Sequence, residues 1–236
     1  MKLVIHKVSY RQILLSLALF MMIPSPRIYS QQFRFMEYGL NKGLPEPYVY
    51  TIDQDASGYL WIGTGDGLAR FDGKTFEVFT TSDSLSDNFI TTSHTNESGV
   101  WFGHMNGGVT LFDGQKFVKV LPGDPSKGSI TGIKSMAGVT WASTQSGGIW
   151  TISSNLQTTL YEGSENTGQV LSFELLSSNE CLVGSIDGVY VYAIVPETKA
   201  LRLIGALEGL PETEVQDLRR SRDKQHIYIL TQDEGI

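Results

Sequence analysis

The sequence predicts an all-β fold: a β-propeller of four-stranded antiparallel blades, incomplete at about four and a half blades and preceded by a signal-peptide helix. Three observations predict it. A signature built on one aromatic position returns five times along the 236 residues. Turn signals divide each copy into short apolar runs of strand length. Long stretches of helical periodicity are missing between them.

The aromatic position anchors the repeat. It reads Trp61-Ile-Gly-Thr, then Trp101-Phe-Gly-His, then Trp141-Ala-Ser-Thr. Leu182-Val-Gly-Ser and Tyr228-Ile-Leu-Thr follow, with Leu182 and Tyr228 in the Trp place. The spacings are 40, 40, 41 and 46 residues. Glycines close each copy a few residues on, at Gly67, Gly107, Gly147, Gly188 and Gly235. A lead-in precedes the anchor, as in Gly43-Leu-Pro-Glu-Pro-Tyr-Val49, Ser84-Leu-Ser-Asp-Asn-Phe-Ile90 and Gly209-Leu-Pro-Glu-Thr-Glu-Val215, with Lys127–Ile133 a degraded version. Phe71-Asp-Gly and Phe112-Asp-Gly follow it, and Asp-Gly between apolar runs is a strong hairpin signal because both residues tolerate positive φ.

In the first unit these signals place strands near 49–54, 59–64, 68–71 and 75–80. Four antiparallel strands in about 40–45 residues make a propeller blade. The repeat units fall near 43–80, 84–120, 128–160, 168–205 and 209–236, within a domain over 31–236. A lone blade has two apolar faces, so each must be covered by a neighbour. Trp61, Trp101 and Trp141 are expected to fill the wedges between blades. Gly63, Gly103 and Gly184 are expected to let the chain bend and another backbone approach.

The first thirty residues read differently. Lys2, Lys7 and Arg11 precede an uncharged apolar run, Ile13–Ile23, which leads to Pro24-Ser-Pro-Arg-Ile-Tyr-Ser30. That is the layout of a cleaved signal peptide, with the cut after Ser30. The run is short for a bilayer, which takes about 20 apolar residues. The predicted location is therefore periplasmic or secreted. The whole chain carries −7; removing the four basic residues of 1–30 leaves 14 basic against 25 acidic, or −11. Such a charge argues against nucleic acid and anionic lipid as partners. The single cysteine, Cys181, rules out a disulfide within the chain and reads as a buried structural thiol.

Few motifs in the sequence carry chemistry. Asp53-Gln-Asp-Ala-Ser-Gly58 opens like a calcium loop, but Thr64 stands where a bidentate Glu belongs, so a plain hairpin turn is the reading. His94, His104 and His226 sit in no zinc spacing, and no phosphate loop is present. No cofactor, metal or catalytic residue is expected. A ligand is expected on the face that gathers the lead-ins and the loops after each anchor strand. Its candidate residues are Glu46, Tyr48, Asp66, Asn88, His104, Asn106, Gln145 and Asp187, whose aromatic and amide groups suit sugars.

Taken together, Gly-Leu-Pro/Ser, the Asp…Gly turn, Trp-Ile-Gly-Thr…Gly-Leu and Phe-Asp-Gly resemble the two-component regulator propeller repeat. Residues 43–71 match it nearly throughout, 84–112 match well, and the later units are weaker. The resemblance implies the periplasmic sensor region of a hybrid two-component histidine kinase, many of which are implied to sense glycans. It implies an oligosaccharide or other small ligand and a second copy of the chain as partners. Membrane contact would come only through segments downstream of residue 236, since the chain reads as an N-terminal fragment without a kinase. The expected role is a non-enzymatic sensor. The rivals are a secreted propeller lyase or glycoside hydrolase and a non-functional remnant, because fold alone does not select function.

Overall fold

The computed structural model describes residues 10, 11, 14, 15, 35–166, 168–210 and 212–232. The signal-peptide expectation, its cut after Ser30, Pro211 of the fifth lead-in and the closing Gly235 lie outside these residues. The chain divides into two units, Met1–Glu37 and Tyr38–Ile236, and all sheets belong to the second.

Four antiparallel sheets of four strands follow one another in sequence order. The first holds β1 (Val49–Gln54), β2 (Leu60–Thr64), β3 (Gly67–Phe71) and β4 (Phe76–Phe79). The second holds β5 (Ile90–Asn96), β6 (Gly99–His104), β7 (Val109–Phe112) and β8 (Phe117–Leu121). The third holds β9 (Ile130–Met136), β10 (Val139–Thr144), β11 (Gly148–Ile152) and β12 (Thr158–Leu160). The fourth holds β13 (Ser172–Ser177), β14 (Glu180–Ser185), β15 (Gly188–Val195) and β16 (Ala200–Ala206). A two-stranded sheet of β17 (Val215–Arg220) and β18 (Ile227–Thr231) completes the described part. Each four-stranded sheet is a meander in which neighbours in sequence are neighbours in space. These are propeller blades, here numbered 1 to 5.

Packing between blades follows from strand alternation. In β2, Trp61 and Gly63 share one face and Ile62 takes the other. Trp61 is fully buried against blade 2, with ring centroids 4.8 Å from Phe112, 5.4 Å from Phe102 and 6.0 Å from Phe117. Its indole N–H donates to Asp55 Oδ2 at 2.9 Å, so the hairpin that introduces the strand also satisfies its one polar group. Trp101 repeats the arrangement with Asn96 Oδ1 at 3.0 Å and buries against Ile133, Ala142 and Ile152 of blade 3. Trp141 packs with Phe173, Leu175 and Val183 of blade 4, and Leu182 with Val215 and Leu218 of blade 5. Tyr228, at the same position of blade 5, is 51% exposed.

The glycine two residues after each anchor is set by how near the next blade comes. A Cβ on Gly63 would lie 2.7 Å from Ile90 Cγ2, and one on Gly103 2.5 Å from Ile130 Cγ2. On Gly184 it would meet Val215 Cγ1 at 2.8 Å. Blade 3 solves the problem on the paired strand. Ser143 stands in the glycine place, and its partner Gly132 makes room for Phe173, whose ring would lie 3.0 Å from an added Cβ.

The first strands β1, β5, β9, β13 and β17 lie side by side. In β1, β5, β9 and β17 the register slips by one residue near the strand start, at Tyr50, Thr91, Thr131 and Gln216. Such a bulge re-aims a side chain. Thr91 Oγ1 thereby donates to the carbonyl of Ile130 in the next first strand, at 2.7 Å.

Candidate functional site

The first strands border one cavity of about 500 Å3. Its wall is polar, and the reason lies in the register. The residue paired across from each blade's anchor is Asp53 opposite Trp61, His94 opposite Trp101, Lys134 opposite Trp141, Glu174 opposite Leu182 and Arg219 opposite Tyr228. Five equivalent positions thus carry five ionisable side chains, and all but Glu174 line the cavity. Between them stand the hydroxyls of Thr51, Thr92, Ser93, Thr131 and Ser172.

The electrostatics of this ring are partly internal. Lys134 Nζ pairs with Glu174 Oε2 at 2.7 Å, joining blades 3 and 4, and both groups are largely buried. Thr51 and Ser93 hydroxyls meet at 2.6 Å between blades 1 and 2. His94 is half-buried, and burial holds its imidazole below the ordinary value of 6.5; Asp53 opposes this, Lys134 adds to it and Glu174 opposes it. The ring is therefore neutral at pH 7, and its Nε2 is buried without a hydrogen-bond partner. Arg219 is exposed and paired with Asp217 at 2.7 Å. The arrangement offers both charge signs and hydroxyls within one concavity. That combination can orient a polar, hydroxyl-rich ligand, whose groups both donate and accept.

The eight residues expected on the loop face divide by what they touch. Glu46 accepts a 2.6 Å hydrogen bond from Gly65 N through Oε2, so its carboxylate ties the lead-in to the β2–β3 turn. Asn88 accepts from Thr81 N through Oδ1, and its carbonyl accepts from Gly67 N of blade 1. Asn106 donates to the Ser86 carbonyl and accepts from Gly108 N, while its own carbonyl accepts from Asp124 N. The Gln145 carbonyl accepts from Val170 N of the following blade. These four residues join lead-ins to turns. Tyr48, Asp66 and Asp187 are exposed on loops. His104 departs from the expectation: it is fully buried at the end of β6, with Nε2 2.8 Å from Thr110 Oγ1. Burial pushes its imidazole down to about 4. It belongs to the core because its strand position faces the interior, as Thr64 and Thr144 do in blades 1 and 3.

The other sequence expectations also find places. Cys181 is 1% exposed in the core of blade 4, where burial raises its thiol to about 12. Asp55 has both carboxylate oxygens engaged, Oδ1 by Ser57 N and Tyr59 N and Oδ2 by Trp61. Its partner in the calcium-loop reading, Asp53, belongs to the cavity ring instead.

The cavity ring itself was missed in the sequence. Its residues precede their anchors by 8, 7, 7, 8 and 9 positions, because the intervening hairpins differ in length. A fixed offset never aligns them, and Asp, His, Lys, Glu and Arg share no chemical type that a repeat search rewards. Only strand pairing brings them into one row.

Comparison with known proteins agrees with this architecture. Residues 43–66 match the family model described as two component regulator propeller. A stretch of 55 residues is 40% identical to Histidine kinase P4 of Formosa agariphila, covering 23% of this chain and 4% of that protein. The extracellular domain assigned to the hybrid two component system BT3049 of B. thetaiotaomicron superposes with a TM-score of 0.66 at 22% identity, over 83% of this chain and 29% of that one. The corresponding domain of BT4673 from the same organism gives 0.63 at 19% identity, over 79% and 26%. This chain is thus an all-β propeller in which residues 43–66 match the two-component regulator propeller repeat, and it spans less than a third of each of these relatives. Among the described residues, no helix is long and apolar enough to cross a membrane.

Proposed function

We propose that this chain is a ligand-sensing propeller of a two-component signalling system, working outside the cytoplasm, and that the cavity bordered by the first strands is where its ligand binds. One observation carries the reading. Seams between blades are apolar, yet the five positions opposite the anchors are all ionisable. A pair such as Lys134–Glu174 is weak support for stability, since desolvation offsets much of its attraction. Charge placed there is better accounted for by recognition. The ligand class is an oligosaccharide or another hydroxyl-rich small molecule. It would bias the relative setting of adjacent blades, because Lys134, Glu174 and the Thr51–Ser93 contact each span a seam. The basic, apolar and small-residue layout of residues 1–30 supports export, and binding without turnover is the expected activity.

Titration calorimetry of the purified chain against a panel of oligosaccharides tests this. The paired substitution Lys134→Met with Glu174→Leu removes both charges together, avoiding an uncompensated buried ion. Binding is expected to be lost while cooperative melting persists. Wild-type affinity in that variant would move the site elsewhere, and polysaccharide turnover would overturn the sensor reading in favour of an enzyme.

A further inference from the structure

A second concavity, independent of the first-strand cavity, opens in the seam between blades 3 and 4. It encloses about 360 Å3 and reaches the face carrying the β9–β10, β13–β14 and β15–β16 turns. Its origin is visible in the row of residues running outward from the anchor. In blade 2 the row is Trp101, Leu111 and Val118; in blade 3 it is Trp141, Thr151 and Thr159. Thr151 is shorter than Leu111, Thr159 has the shape of Val118, and both threonines carry hydroxyls. The space that apolar side chains fill in the preceding seam is left open, and Tyr161, Leu175 and Ile194 are among the apolar residues of its wall.

The anchor itself differs in a second way. In blades 1 and 2 the indole N–H donates to a side-chain oxygen from the preceding hairpin, Asp55 or Asn96. Met136 stands at that hairpin position in blade 3, five residues before Trp141 as Asn96 is before Trp101. A thioether is a weak acceptor. The Trp141 indole N–H has no protein partner among the described residues, and Trp141 and Met136 both line the cavity. The lining contains one ionisable cation, Lys199, and no carboxylate. Glu197 of the same turn is exposed and lies outside the lining, although its field reaches Tyr161.

We infer that this seam binds a small aryl carboxylate. Its carboxylate takes the place that the Asp55 side chain holds in blade 1, accepting from the Trp141 indole and pairing with Lys199. Its ring lies against Tyr161, Leu175 and Ile194, and ring hydroxyls would meet Thr151 and Thr159. The site thus completes with a ligand what blades 1 and 2 complete with their own residues. Cavities of roughly 300–1,000 Å3 with an apolar body and a few convergent polar groups are the usual form of small-molecule sites.

Benzoate is the probe, with benzyl alcohol as its uncharged counterpart, titrated into the full chain labelled with fluorotryptophan. Benzoate is expected to shift the Trp141 resonance alone, assigned by its loss in Trp141→Phe. Met136→Asp supplies the missing acceptor from the protein and is expected to abolish the shift. Thr151→Leu with Thr159→Val rebuilds the blade 2 row, removes both hydroxyls, narrows the cavity beside Trp141 and is expected to abolish it too, in a variant that melts no lower than the parent. Lys199→Gln is expected to weaken benzoate about tenfold, a modest electrostatic contribution, and to leave benzyl alcohol unchanged. The proposal is overturned if millimolar benzoate leaves Trp141 unmoved, if the shift survives both the Met136 and threonine variants, or if benzyl alcohol binds as tightly as benzoate. None of these outcomes bears on oligosaccharide binding at the first strands.

Discussion

The seams on either side of the middle of the molecule use the same anchor and reach different ends. Between blades 1 and 2, Trp61 is enclosed by Phe79, Phe102, Phe112 and Phe117, and its indole is satisfied by Asp55. Between blades 3 and 4, Trp141 faces two threonines and a cavity, and its indole is unpaired by protein among the described residues. A repeat therefore specifies where a large aromatic goes. The residues beside it decide whether the seam is sealed or left open. Blade 5 shows the third case, since no described blade covers Tyr228.

The largest effect should come from the sealed seam. Trp61→Ala is expected to destabilise the chain by about 3–5 kcal/mol, the usual range for truncating a core aromatic. Trp141→Ala should cost less, because part of its surroundings is already empty. Chemical denaturation of the two variants sharpens the comparison, and equal losses would break it.

Next in size is a pH effect carried by His104. Its folded imidazole is held at about 4, below the ordinary 6.5, so the unfolded chain binds the proton first. Stability from this group is complete above pH 6.5 and falls as pH drops towards 4, with no further loss below. The total is about 3 kcal/mol by the free energy of a pKa shift. His104→Thr copies Thr64 and Thr144 and should flatten that slope in melts recorded between these pH values.

Smaller again is the closing of the open seam. Thr151→Leu with Thr159→Val should raise stability by about 0.5–2 kcal/mol, as cavity filling commonly does. The smallest effect belongs to the uncovered anchor: Tyr228→Ala should change the unfolding free energy by no more than about 0.5 kcal/mol, as for exposed positions generally.

The strands of blade 1 were legible almost to the residue, because Asp-Gly, Gly-Asp-Gly and Asp-Ala-Ser-Gly turns bound each run. The role of Trp61 and Trp101 was legible too, since only a two-sided buried strand repeats a large aromatic on that clock. What escaped the sequence depends on pairing between strands. That Gly132 makes the room in blade 3 which Gly63 and Gly103 make in blades 1 and 2 needs the register of β9 on β10. The ionisable row at Asp53, His94, Lys134, Glu174 and Arg219 needs all five registers. His104 takes the place of Thr64 in the repeat and reads as a loop position. It is the last residue of β6, and its side chain falls inside.

Neighbouring blades hide each other's aromatic faces, and the fold depends on that burial. Fluorine NMR of the fluorotryptophan-labelled chain in light and heavy water reads that burial one ring at a time. Trp61 and Trp101 should show no solvent isotope shift, while half-buried Trp150 should show one. A shift at Trp61 comparable to that of Trp150 would place it in water and contradict the fold's organising contact.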